Sequence, residues 1–427
     1  MSYLILILTI LSGNLSFFWF RSTFTGYKYA KFKADVFSII LTISILGSLF
    51  YLSLLIGVAF WLFLGILLFI MLIIFLKWKP QKQEFDGDKK WSIMILISSI
   101  VFTLHHQKWG GWDAWSIWNL HAKFLYDSTH WQNMFSPILE WTHADYPLLL
   151  PAIHAMIWTG LGNITPLATA ATALLIFISI NTLIYDTIKN YTYVAIIVLL
   201  SMILGYDFVN IAASEYADSF VSLTFLITII LLYEKPQQYI LFSGIFCGIA
   251  LSLKNEGLVF FTMVLLYLIT TSAFKAKTIF SFLMGSLPFL LIVVGYKYFW
   301  APSNDIIAGQ SISTMDRILS PMRYFHIIRF GLETLFTKYY MLLLVIMVSY
   351  RFRKTLPREV WIIYFILFAY LAIYLVTPKD LIWHLSTSMK RLFHHLYPSY
   401  LYLILVSTDL DKWNVSVEKF YKNLKFS

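Results

Sequence analysis

VFSIILTISILGSLFYLSLLIGVAFWLFLGILLFIMLIIFLK, residues Val36 to Lys77, carries no charged side chain before its last position. As one helix it would run about 60 Å, twice the roughly 30 Å hydrocarbon core of a bilayer. It therefore predicts a hairpin of two spans, near 36 to 55 and 57 to 77. Outward from it, runs of the same character recur near 1 to 20, 91 to 107, 166 to 185, 192 to 206, 218 to 233, 239 to 253, 257 to 273, 278 to 300, 336 to 350, 360 to 376 and 393 to 409. The expected fold class is an all-α membrane protein, a polytopic helical bundle of about thirteen transmembrane helices.

Composition agrees. The 427 residues are 59% hydrophobic and 13% charged, with mean hydropathy +0.73, against roughly a quarter charged in soluble domains. Trp and Tyr gather near the ends of the apolar runs, at headgroup level. The single cysteine, Cys247, lies inside an apolar stretch, which leaves no disulfide framework, cysteine metal site or thiol redox pair. The first run has no basic leader and reads as a retained span, with no cleavable signal or lipidation motif.

The formal charge is +10. The basic residues fall in short loops: Arg21, Lys28, Lys31 and Lys33, then Lys77 to Lys90, Lys189, Lys235, Lys275 and Lys277, Arg351 to Arg358, and the tail after Lys412. These loops belong in the cytoplasm, so the excess reports topology and calls for a bilayer, not nucleic acid, as partner. All ten histidines then fall outside, from His105 to His395. The expected organisation is three leading helices over 1–90, a catalytic membrane domain over 91–410 and a cytoplasmic tail over 411–427. Outer loops lie near 108–165, 301–335 and 377–392. Within the first, Pro147 to Gly162 reads as a helix lying in the membrane interface.

Five polar clusters border apolar runs on that outer side. KWGGWDAWSIWNLHAK (Lys108–Lys123) puts Asp113 at the mouth of a helix and spaces Trp109, Trp112, Trp115 and Trp118 every three residues, a stripe that stacks on sugar rings or anchors the helix. Asp113 is also well suited to cap a helix. EWTHADYPLLLPAIHA (Glu140–Ala155) sets His143 and Asp145 before a Tyr-Pro break, two ligands where a metal needs more. ASEYADSF (Ala213–Phe220) spaces Glu215 and Asp218 by three, on one face at the start of a helix. LSLKNEGL (Leu251–Leu258) places Lys254, Asn255 and Glu256 at membrane depth or in a tight outer turn. PKDLIWHLSTSMKRLFHHLYP (Pro378–Pro398) aligns Asp380, His384, Ser388, Arg391 and His395 on one face. Arg391 offers a planar fork for phosphate or for a structural ion pair with an outer acid.

GWDAWSIWNLHAK, DYPLLLP (Asp145–Pro151), SEYAD (Ser214–Asp218), LKNEG (Leu253–Gly257) and WHLSTSMKRL (Trp383–Leu392), in that order over about 90 to 405, resemble the GT-C superfamily of integral membrane glycosyltransferases. The likeness is to bacterial relatives of protein O-mannosyltransferases and of the lipid A aminoarabinose transferase. The resemblance implies inverting transfer of a sugar from a polyprenyl-phosphate donor to a glycan, lipid or protein acceptor at the extracytoplasmic face of the cytoplasmic membrane. It implies Asp113 as catalytic base, with Arg391, Lys254 and His384 on the donor phosphate. His143, Asp145, Glu215, Asp218, Glu256 and Trp112 are the candidates for the acceptor or sugar site or for a second carboxylate. Many relatives carry a second acid within two residues of the base, where this chain has Ala114 and Trp115. That departure favours catalysis without a divalent metal and assigns no metal ligand. A polysaccharide polymerase or ligase, whose largest outer loop comes late, is the nearest alternative. A transporter is another, though no inverted repeat is found, and a non-catalytic assembly protein is the last.

Overall fold

A computed structural model of the chain describes residues 2–26, 31–77, 88–234, 236–271, 276–304, 308–311 and 313–426. Lys28, Lys79, Lys82, Lys235 and Lys275 of the inner basic set lie outside the described residues. Regular structure among the described residues is helical, with one isolated bridge between Arg353 and Thr408.

The opening hairpin forms as expected. Helix α1 (Ser2–Gly26) is followed by α2 (Lys31–Leu55) and α3 (Phe60–Lys77), which meet at a turn through Gly57 in left-handed backbone. α4 (Lys89–His105) starts on Asp88, whose carboxylate accepts from the Lys90 and Trp91 amides. The first segment expected outside holds α5 (Asn119–Tyr126) and α6 (Leu149–Leu161). Then come α7 (Pro166–Ile188), α8 (Thr192–Ile203), α9 (Tyr206–Ala213), α10 (Ala217–Glu234), α11 (Pro236–Leu253), α12 (Glu256–Thr270) and α13 (Ala276–Phe299). The chain ends with α14 (Ser313–Leu319), α15 (Pro321–Lys338), α16 (Tyr340–Tyr350), α17 (Val360–Val376), α18 (Leu381–Val406) and α19 (Leu410–Phe426).

Among the described residues six helices (α1, α2, α3, α7, α10 and α13) are long and apolar enough to cross a membrane. The number rises to eight if the bent pairs α8 with α9 and α15 with α16 each make one crossing. The expected count was about thirteen. The difference lies in helices such as α12 and α17, with 15 and 17 residues, short of the roughly 20 that span a bilayer unaided.

Helix α10 is the axis of the bundle. Every residue from Ala217 to Leu232 is buried, as befits a helix hydrophobic on all sides. α11 packs against α13 backbone to backbone: a Cβ on Gly244 would sit 2.0 Å from the Phe282 carbonyl oxygen, and one on Gly285 2.1 Å from that of Leu241. Small residues are what permit such approach between membrane helices. At the far end of α10 from the site below, Lys33 pairs with Glu234 and lies 3.5 Å from Asp186, which also takes Lys189 at 2.8 Å. Tyr402 donates to Glu234. This network ties α2, α7, α10 and α18 together beside the loops expected in the cytoplasm.

Helix α6, the one expected in the interface, is covered by protein. Its residues Leu149 to Met156 are all buried, against α1, α2 and α5. Apolar side chains occur around its whole circumference, so it gains most by burial on all sides.

Candidate active site

Four elements bring ionisable side chains to one end of α10. Asp218, in the first turn of α10, is fully buried. Its Oδ1 accepts from Lys254 Nζ at 3.1 Å and His395 Nε2 at 2.8 Å, and its Oδ2 from Arg391 Nε at 3.3 Å. Arg391 turns its Nη1 to Asp113 Oδ2 at 2.7 Å. Lys254 also reaches Glu256 Oε1 at 3.0 Å. The result is a chain of alternating sign, Asp113–Arg391–Asp218–Lys254–Glu256, supplied by the segment between α4 and α5, α18, α10 and the α11–α12 turn. Buried charges persist only when paired in this way. Burial works against the Arg391 charge, but Asp218 and Asp113 hold it protonated even more firmly than usual.

This chain lines a cavity of about 1150 Å³. Two residues that line it, Ser116 and Glu256, each keep a buried oxygen, Oγ and Oε2, without a hydrogen-bond partner among the described residues. Burial, with Glu256 and Asp145 nearby, pushes the Tyr146 phenol well above its usual range, so it contributes a neutral wall. At the mouth stand the indoles of Trp112, Trp141 and Trp383, each at least half exposed.

Of the expected residues, Asp113, Asp218, Lys254, Glu256, Arg391, His384, His143 and Trp112 all line this cavity. Asp113 makes no side-chain capping bond, so its ion pair, not a cap, accounts for its position. Asp380 is the acid that caps, accepting from the Trp383 amide at 2.8 Å. His384 bonds Thr377 at 3.0 Å, and His143 stacks on Tyr146.

Two expectations need correction. Glu215 does not reach the cavity: α10 begins only at Ala217 and Glu215 is left-handed (φ 59°), so the helical spacing that put it beside Asp218 does not hold. It binds His106 and Asn119 instead. Asp145 lies behind the wall, accepting from Asn255 and Asn304 at 2.8 Å each, with His143 3.9 Å away. The Trp stripe also breaks. Trp109 sits in a left-handed turn, Ala114–Trp118 forms a π-helical turn, and Trp118 is buried on Tyr146 while Trp112 is 63% exposed. Among the described residues no three His, Cys, Asp or Glu side chains gather as metal ligands.

Sequence reasoning missed Lys297. Near the C-terminal end of α13 it donates to the Asp145 carbonyl and, at 2.9 Å, to Asn255. A lysine closing an apolar run on the side expected to be outer, where few basic residues are expected, was the available signal. Lys254, Asn255, Leu258 and Lys297 line both the polar cavity and an apolar groove of about 380 Å³ between α12 and α13. A larger apolar groove, about 730 Å³ between α2, α11 and α13, holds no ionisable side chain. Of these three, the first alone is lined by carboxylates.

Among the histidines expected outside, His121 has a structural role. His121 is buried, and burial with His143 nearby pushes its pKa down to about 3. Thr142 Oγ1 donates to the Leu139 carbonyl, so it accepts from His121 Nε2–H at 3.1 Å. A folded value below the ordinary 6.5 makes the neutral ring's stabilisation complete above about pH 6.5 and lost as pH falls toward 3. Between pH 7 and pH 5 this one site should cost about 2 kcal/mol. Thermal unfolding of His121→Asn, which keeps a donor to Thr142, should depend less on pH over that interval than the parent. Equal slopes would place the titrating group elsewhere.

No family model, curated protein or solved structure matches the chain.

Proposed function

We propose that the protein is an inverting glycosyltransferase that takes a sugar from a polyprenyl-phosphate donor at the outer face of the cytoplasmic membrane. The observation that carries this reading is a shared wall. A groove bordered by exposed apolar side chains such as Leu258 and Val294 shares Lys254, Asn255, Leu258 and Lys297 with a polar cavity holding a buried carboxylate network. A lipid with a charged head and a sugar beyond it has that sequence of chemistries. In this reading the shorter apolar helices complete about thirteen crossings, the C-terminus is cytoplasmic, and Trp112, Trp141 and Trp383 receive sugar rings.

Transfer requires the acceptor hydroxyl or amine to lose its proton as it attacks the anomeric carbon. The bond from that carbon to the phosphate oxygen breaks, and its electron pair leaves with the phosphate. Arg391 holds one oxygen of Asp113, and the second oxygen serves as the base. Inversion places base and leaving phosphate on opposite sides of the sugar. A guanidinium 2.7 Å from the base and also engaged by Asp218 is better placed to orient Asp113 than to grip the phosphate. That task suits Lys297, with Lys254 behind it. Losing one charge-assisted contact of about 1.5–3 kcal/mol corresponds to roughly a tenfold to hundredfold change. Lys297→Gln should raise the donor KM by about that factor and leave kcat within about threefold. If instead Arg391→Ala raised the donor KM and Lys297→Gln did not, the phosphate would sit on Arg391.

The test of the reaction class is the anomeric configuration of the product, read by NMR after incubation of the protein in nanodiscs with polyprenyl-phosphate sugars. Inversion supports the reading. Retention would require a covalent or front-face route that a single base does not provide.

A further inference from the structure

Among the described residues three non-glycine positions have left-handed backbone, and two of them, Trp109 (φ 71°) and Glu215 (φ 59°), flank the carboxylates that grip Arg391. A bulky aromatic residue rarely adopts that conformation and keeps it only where its surroundings impose it. Here one amide holds both residues. Asn119 Nδ2 donates to the Trp109 carbonyl at 3.2 Å and to Glu215 Oε2 at 3.0 Å, while its Oδ1 accepts from His154 Nδ1–H at 3.1 Å. Glu215 Oε1 takes His106 Nε2–H at 2.7 Å, at the end of α4 where the loop begins. Asn119 is fully buried and the Glu215 side chain is 1% exposed. Between the two strained residues the backbones touch: Gly111 N–H donates to the Ser214 carbonyl at 3.0 Å. Gly110, itself at φ 71°, would bring a Cβ within 2.5 Å of that same oxygen.

Asp113 follows this contact along one chain segment, and Asp218 follows it along the other. A single clamp therefore sets where both carboxylates meet Arg391. We infer that Asn119 and Glu215 are positioning residues whose shared hydrogen bond fixes the Asp113–Arg391–Asp218 geometry, and that Glu215 acts on the reaction only through that clamp. The kinetic part rests on the assignment of Asp113 as base; the geometric part does not.

Two measurements test it on the full-length protein in nanodiscs, each scaled to folded protein recovered by size exclusion. In the first, Asn119→Ala and Glu215→Ala should lower kcat about tenfold or more, the cost of displacing a catalytic group by around an ångström, with donor KM unchanged. Glu215→Gln should restore most of kcat, because its amide still accepts from Asn119 and can donate to the other tautomer of His106. In the second, Asp113→Cys in a Cys247→Ser background is labelled by a charged thiol reagent, and adding Asn119→Ala should change the labelling rate about tenfold. If the parent transfers no sugar, the function is wrong, and the labelling rate alone decides the clamp. An unchanged labelling rate overturns the inference, as does full kcat per folded molecule in a parent that transfers sugar. Should Asn119→Ala fail to fold, Glu215→Ala read by the same two measurements decides.

Discussion

Replacing Asp113 by Asn is expected to lower turnover about a hundredfold to ten-thousandfold at saturating donor, the usual worth of general-base catalysis. In barrier terms that is roughly 3 to 5 kcal/mol. Asn keeps the size of Asp and can still cap a helix, and Arg391 keeps its second carboxylate, Asp218. Folding and donor binding should therefore survive, and the loss should appear in kcat. A helix cap would predict a small loss, and the absence of any capping bond at Asp113 already weighs against that explanation. If the variant kept near-full turnover, the base would have to be sought at Glu256, a cavity carboxylate whose Oε2 has no hydrogen-bond partner among the described residues.

The largest effect on stability is expected at Asp218. Three donors converge on its fully buried carboxylate, and removing one partner of a buried ion pair typically costs 3–5 kcal/mol because the other charge is left unpaired. Asp113 still neutralises Arg391, and Glu256 still meets Lys254, so Asp218→Ala should fall near the lower end, about 3 kcal/mol. Thermal or denaturant unfolding in detergent measures it. A change below about 1 kcal/mol would mean that water or the neighbouring carboxylates already screen the site.

The hairpin of α2 and α3 was legible because a charge-free run twice the bilayer thickness has one solution. The polar clusters were legible for the converse reason, that ionisable groups beside apolar spans are costly and so point to partners or function. Which partner each finds was not legible. Asp113 and Arg391, or Asn255 and Asp145, meet across the bundle, and local spacing carries no information on such pairs. Spacing misled where the chain left helical geometry. The left-handed turn at Glu215 rotated it away from Asp218, and the π-helical turn at Ala114–Trp118 split the indoles between core and cavity mouth.

The central claim is tested most directly by incubating the purified protein in nanodiscs with a panel of polyprenyl-phosphate sugars and measuring release of polyprenyl monophosphate, with Asp113→Asn alongside. The account predicts acceptor-dependent release from at least one donor by the parent, and a fall of about a hundredfold or more in the variant. Equal release by parent and variant would contradict the role of Asp113. No release from any donor, by protein that remains folded and binds polyprenyl phosphate, would contradict the proposed reaction.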